Sequence, residues 1–286
     1  MVLEQVYSVD FLRKKPVYTF LLGITYALVG LGAALFMFPE DPALVAVAIT
    51  SILFLPSLYK FAAMEEKEES REKGFKILNL LKKQKQFVKA YIYAFFGVFV
   101  VFAFFSIILP NLATNHLFRE QLAVLSSAGG AIFSKGLFFG ILSNNFKIFL
   151  LCFLVSLALG NGAIFIITWN ASVWGTIFGN LAKSSALAVG KSPFIYFVLI
   201  LISVFPHMLL EILSYILAII SGTLISEGIL REKFGSGKMD RVMRDNLLLL
   251  LAAVLVLILA AAVETYALNN VETYKIIIQQ SFGGVI

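Results

Sequence analysis

An apolar run of about 33 residues, from Phe194 to Ser226, carries two side chains that hydrocarbon does not tolerate cheaply, His207 and Glu211. An ionisable group at such a position costs roughly 2.5–3.5 kcal/mol on insertion scales, and its retention points to a role. The spacing of four puts both on one helical face, within reach of each other, and the same face continues through Ser214, Ala218, Ser221 and Gly222. Pro206 removes a backbone donor and clashes with the preceding turn, so the run is expected to kink or break there. A break would leave His207 and Glu211 in a first helical turn, near the positive end of its dipole.

Two uses fit such a pair. The first is a hydrogen-bonded His–Glu clamp joining this helix to a neighbour, since interhelical polar contacts in bilayers are worth roughly 0.6–2 kcal/mol each. The second is an ion or proton path, for which the other carboxyl groups of the apolar runs are few, chiefly Glu264 near the end of the last run. No metal site is expected, because the only other histidine is His116 and no His-Glu-x-x-His pattern occurs.

A second polar constellation precedes this run: Asn144, Asn145, Ser156, Gly160, Asn161, Gly162, Asn170, Gly175, Gly179 and Asn180. Gly175 and Gly179 form a small-xxx-small pair that lets helix backbones approach closely, and the asparagines suit interhelical hydrogen bonds or the lining of a polar cavity. Trp169 and Trp174 suit interfacial anchoring, which would place a turn near residue 170 at a membrane surface.

The elements that must hold these groups are set by composition. Of 286 residues 60% are apolar and 14% charged, with mean hydropathy +0.91, whereas soluble domains carry about 25% charged residues. The chain is therefore read as all-α, a polytopic transmembrane helical bundle of six to seven membrane segments with amphipathic surface helices. The net charge of +6 marks a cytoplasmic face rather than nucleic-acid binding. The single Cys152 lies in an apolar run and builds neither a disulfide framework nor a thiolate cluster.

Along the chain, residues 1–63 form an N-terminal hairpin with apolar runs at about 17–38 and 43–63, joined by Pro39, Glu40, Asp41 and Pro42. Residues 64–89 hold eight Lys or Arg and five Glu around Ile77, Leu78, Leu81 and Val88, a cytoplasmic amphipathic helix or a solvated connector. Residues 90–268 form a core with spans at about 90–109, 146–168, 194–226 and 247–268 and an external segment, 110–144, of short helices lying on the outer surface. Residues 269–286 are a tail. If 170–190 crosses the bilayer, basic residues divide 17 inside to 6 outside; if not, 15 to 8. Crossing is favoured, giving a cell-membrane protein with a cytoplasmic N-terminus and an external C-terminus.

The order Asn145, a glycine-bearing span, Asn170 with Gly175 five residues on, then Pro206, His207, Glu211 and Gly222 resembles the stage II sporulation protein M family. There an Asn-Gly-x-x-x-Gly pattern is followed by Pro-His-Gly-x-x-Glu and a small-residue helix. Ala171 and Met208 stand here where two of those glycines would be, with the spacing unchanged. The resemblance covers about residues 140–228, and the hairpin looks like an addition to it. It implies a multipass scaffold that anchors other proteins, as family members in spore formers do with peptidoglycan-degrading enzymes, and it marks His207 and Glu211 as important but not catalytic.

No phosphate loop and no Gly-x-Ser-x-Gly elbow is present. The expected function is a non-enzymatic membrane scaffold, with no cofactor and no metal, set among membrane lipids and binding membrane or envelope proteins or a second copy of itself. The competing expectation is a small-solute transporter or channel using His207 and Glu211, since broken helices with polar ends build midplane sites. A third, an intramembrane enzyme, would need Ser203 or Ser214 as nucleophile beside His207.

Overall fold

The computed structural model describes residues 15–69, 84–128, 136–233 and 235–272, and the described residues contain helices and turns without a strand. The order is α1 (Val17–Met37), α2 (Pro42–Glu69), α3 (Lys85–Ile108), α4 (Asn111–Leu117), α5 (Arg119–Ala128), α6 (Leu137–Leu159), a 3₁₀ turn (Gly160–Ala163), α7 (Ile164–Val189), α8 (Pro193–Arg231) and α9 (Gly237–Asn270). Most of the expected amphipathic stretch at 64–89 falls outside the described residues. What is seen of it continues α2 as far as Glu69 and opens α3 at Lys85.

Apolar sequence in a bilayer must satisfy its backbone within the segment, which leaves the helix as the only open-ended solution. The stops are local. Pro39 and Pro42 frame the first turn, and Pro110 follows α3. Gly190 takes a left-handed φ of 63° at the end of α7, and the Lys191 amide reaches back to the Ala186 carbonyl at 2.9 Å. Ser236 caps α9 by accepting from the Met239 amide at 3.2 Å.

Among the described residues five helical stretches are long and apolar enough to cross a bilayer: Val17–Met37, Lys85–Ile108, Leu137–Val189, Pro193–Leu230 and Gly237–Asn270; Pro42–Leu58 is a shorter apolar helix. The third stretch is two helices, because the Gly160–Ala163 turn divides it. The expected turn near residue 170 is therefore corrected to 160–163. Gly160, at φ 56°, stops α6 in a conformation that L side chains rarely adopt. Asn170 lies within α7, its Nδ2 donating to the Ile166 carbonyl at 2.9 Å, and Trp174 packs edge-on to Phe95 at 5.6 Å. Residues 137–144 are likewise the first turns of α6 rather than a separate surface helix.

Pro206 does not break α8, which runs as one helix of 39 residues. The ring leaves the Ile202 carbonyl without its helical donor, a loss that membrane helices absorb through neighbouring groups. At about 58 Å the helix exceeds a hydrocarbon core of about 30 Å and extends beyond it.

Side-chain pairs fix the directions. Tyr26 with Phe54 and Gly30 with Ala46 make α1 and α2 antiparallel. Ser106 donating to the Thr176 carbonyl and Lys183 to the Leu109 carbonyl make α3 and α7 parallel. Phe96 with Phe205 and Phe99 with Phe197 set α8 antiparallel to α3, and Ser214 to Ala253 with Ser221 to Asn246 set α9 antiparallel to α8. The seven long helices alternate in direction through the described chain.

The faces are sorted as lipid requires. Leu247, Leu251, Leu255 and Leu259 of α9 are exposed at every fourth position, while Ala253, Leu257, Ala260 and Ala261 are buried. Helices meet through small residues. A Cβ on Gly175 would lie 2.5 Å from the Phe99 carbonyl oxygen, and one on Gly179 2.7 Å from that of Ala103, so both glycines pack α7 on α3. Gly222 meets α6 in the same way, 2.6 Å from the Phe153 carbonyl oxygen. Gly175→Leu should therefore destabilise the purified protein by about 1–3 kcal/mol or more, whereas Gly140→Leu, with open space around it, should leave the melting temperature in detergent unchanged.

Candidate functional site

The polar face of α8 foreseen at Ser214, Ser221 and Gly222 is used to assemble α6, α8 and α9. Ser214 Oγ donates to the Ala253 carbonyl at 3.0 Å and Ser221 Oγ to that of Asn246 at 2.7 Å. Gly222 brings α8 against Phe153 and Ser156 of α6. Three helices are thus held close enough for their remaining polar side chains to meet.

What meets there is an acidic cluster. Glu211 is 4% exposed, and its Oε1 accepts from Tyr215 Oη at 2.7 Å. Tyr215 leans back one turn, as helical side chains do. Glu264, half-buried on α9, lies close enough to Glu211 for the two charges to interact. Asn145 of α6, 6% exposed, is within reach of both carboxyl groups, yet its Nδ2 forms no close hydrogen bond. Glu211 is ten residues above Ser221, whose partner Asn246 closes the polar start of α9. That is about 15 Å along the helix, near the middle of a hydrocarbon core of about 30 Å.

The expected His207–Glu211 contact is not made. His207 is 7% exposed, its Nδ1 has no partner, and no hydrogen bond or ion pair among the described residues joins it to Glu211. Ser203 Oγ donates to the Leu199 carbonyl at 2.9 Å, and Ser214 is bonded to α9, so neither hydroxyl is directed at His207. Asn170, Gly175 and Gly179 sit apart from the cluster on α7, and Gly160 shapes the turn that precedes it. Among the described residues no group of three or more His, Cys, Asp or Glu side chains is placed to hold a metal ion.

Sequence reasoning named Glu264 and Asn145 without joining them to Glu211, because nothing in their separation along the chain announces the contact. It did not single out Lys183, whose signal is a lone cation in a small-residue helix. Lys183, 7% exposed, donates from Nζ to the Leu109 carbonyl at 3.0 Å and to Thr114 Oγ1 at 3.1 Å. This ties α7 to a polar cap formed by α4 and α5. His116 Nε2 meets the Pro39 carbonyl at 2.7 Å, Arg119 pairs with Asp41 at 3.0 Å, and Gln121 Nε2 reaches the Ala43 carbonyl and Ser172 Oγ, each at 3.4 Å. The cap closes the end of the bundle where α1 and α3 finish.

Long apolar helices of alternating direction, glycine-mediated crossings and polar groups held between helices define a multipass helical membrane protein. The family model for stage II sporulation protein M matches residues 92–267, and the chain belongs to that family. The matched region contains the acidic cluster and the cap, and the α1–α2 hairpin lies outside it. No curated protein and no solved structure gives a significant match.

Two substitutions test the geometry. Tyr215→Phe withdraws the hydroxyl from Glu211 and should cost about 1–3 kcal/mol, as leaving a buried acceptor unsatisfied does. Lys183→Met should loosen the cap, read as faster protease cleavage within 111–128 at an unchanged helical content by circular dichroism.

Proposed function

We propose that this protein is a multipass membrane scaffold, without catalytic activity of its own, that binds other membrane or envelope proteins at its capped end. The observation that carries this reading is the cap. The α1–α2 turn, α2 and α7 fix α4 and α5 through the bonds of His116, Arg119, Gln121 and Lys183, which gives a short polar segment a defined pose. It presents Leu112, 85% exposed, and the exposed Val124 beside charged Glu120 and Arg119. A preformed surface lowers the ordering cost of association. Membership of the family supports the same reading. The continuity of α8 takes away the broken helix on which the transporter reading leaned.

The orientation proposed with it is seven crossings of the cell membrane, cytoplasmic at the N-terminus and external at the C-terminus. Seventeen of the 23 Lys and Arg belong by sequence position to the end where α1, α3, α7 and α9 begin, and basic residues near span ends mark the cytoplasmic side. Cysteines placed at the exposed Lys191 and Lys238 should react with an impermeant maleimide from opposite faces of sealed vesicles. Labelling of both from one face would overturn the seven-crossing arrangement.

For the scaffold itself, mild crosslinking in native membranes should capture a defined partner through the cap, and Leu112→Glu should abolish the adduct while the protein still purifies as a single species. Isolation of the wild-type protein alone under those conditions would contradict the proposal.

A further inference from the structure

Lys147 is a cation on the lipid-facing side of the bundle. It is exposed on α6, and its side chain makes no hydrogen bond or ion pair among the described residues. Its depth follows from both ends of the helix. Gly222 meets α6 at Phe153, Ser156 and Leu157, beside the Ser221–Asn246 bond, where the polar start of α9 marks one edge of the hydrocarbon. Lys147 is nine residues along α6 from Ser156, about 14 Å, and ten from the other end at Leu137, about 15 Å. Both put it near the middle of a core of about 30 Å, too deep for its stem to reach either surface as lysines near helix ends do.

The face around it has the form of a helix seam. Gly140, Asn144, Lys147, Leu151, Leu154 and Ala158 are all exposed and recur at alternate steps of four and three, the spacing at which left-handed helix pairs interlock. A Cβ on Gly140 would meet nothing within 4 Å, so a second backbone can come close there. Asn144 is a further exposed polar side chain without a hydrogen bond among the described residues. A charge at mid-depth is costly in lipid and is ordinarily paired with an opposite charge inside protein. Lipid headgroups do not lie at that depth. This chain offers no such acid either: Glu211 is buried, Glu264 is half-buried on another helix, and a second copy applying the same face would set Lys147 against Lys147.

We propose that the α6 face of Gly140, Asn144, Lys147 and Leu151 receives a transmembrane helix of a different protein, one that carries an Asp or Glu at mid-depth to pair with Lys147. Asn144, one turn away, offers its amide to the same helix, and Gly140 lets the two backbones approach. Binding here rests on the scaffold reading in needing a membrane partner, but it uses none of the residues of the cap.

The test reconstitutes the full-length protein in liposomes with synthetic transmembrane peptides of leucine and alanine that carry one central Glu, Gln or Lys, and reads association by energy transfer between dyes on protein and peptide. The Glu peptide should bind about tenfold more tightly than the Gln peptide, as a hydrogen bond to a charged group outweighs a neutral one. Lys147→Arg should keep that preference and Lys147→Leu abolish it. Lys147→Glu should transfer it to the Lys peptide, an exchange that a structural role for Lys147 would not produce. The wild-type comparison of the Glu and Gln peptides stands alone if a variant fails to fold. In native membranes a photo-crosslinker at Asn144 should capture a helix of another protein that contains Asp or Glu, and Lys147→Leu should remove the adduct. Equal binding of the Glu and Gln peptides, or an Asn144 adduct only with lipid or with a second copy of this chain, would overturn the assignment. An Asn144 adduct without one at Leu112 would support the α6 face and contradict the capped end as the binding surface.

Discussion

The close approach of helix backbones at small residues is the constraint on which the rest of this bundle depends. In lipid, apolar side chains gain little by leaving hydrocarbon for a protein interior, so association rests on packing and on hydrogen bonds between helices. Gly23 opposite Gly97, Gly175 and Gly179 on α3, and Gly222 on α6 each leave no room for a Cβ. The Gly175 and Gly179 contacts set the distance at which Ser106 of α3 reaches the Thr176 carbonyl of α7. Larger side chains at those glycines would hold the two helices apart, and the Ser106 bond would then be out of range.

The same distances explain why two acids from different helices meet. α8 is packed against α6 on one side and α9 on the other, so a side chain midway along it is enclosed by both. Glu211 occupies that position, which is why it is nearly fully buried although its helix exposes many other side chains. His207, one turn away on α8, shares the burial without acquiring a partner for Nδ1. Of the two groups expected to act together, the structure links only the carboxylate to other polar side chains, and does so through Tyr215 and across the helix interface.

Hydropathy and length made the helices legible, since a bilayer leaves few choices for an apolar run of about 20 residues. The placing of the α6–α7 turn was less so. Gly160-Asn161-Gly162 and Trp169-Asn170 both interrupt the apolar pattern, and only the backbone decides between them, through the positive φ at Gly160. Of the kink or break expected at Pro206, the break does not occur, because its effect depends on packing around the freed carbonyl, which sequence does not contain. Gly175, Gly179 and Gly222 stand where helices of this same chain come close, with α3 and α6 as their partners. The link between Glu211 and Glu264 could not be read at all, since the two acids stand on different helices, 53 residues apart in the chain.

Lys183 and the acidic cluster are two answers to one problem. A buried cation and a buried acid both need compensation, and the described residues give it to each as hydrogen bonds. Lys183 Nζ is directed at the carbonyl of Leu109, where α3 ends, and the negative end of a helix dipole favours a cation there; Thr114 supplies a second acceptor. Glu211 accepts from the Tyr215 hydroxyl at 2.7 Å and has no ion-pair partner among the described residues. The region matched to the family therefore fixes its buried lysine through carbonyl and hydroxyl oxygens and its buried Glu211 through a phenol, in each case by hydrogen bonds.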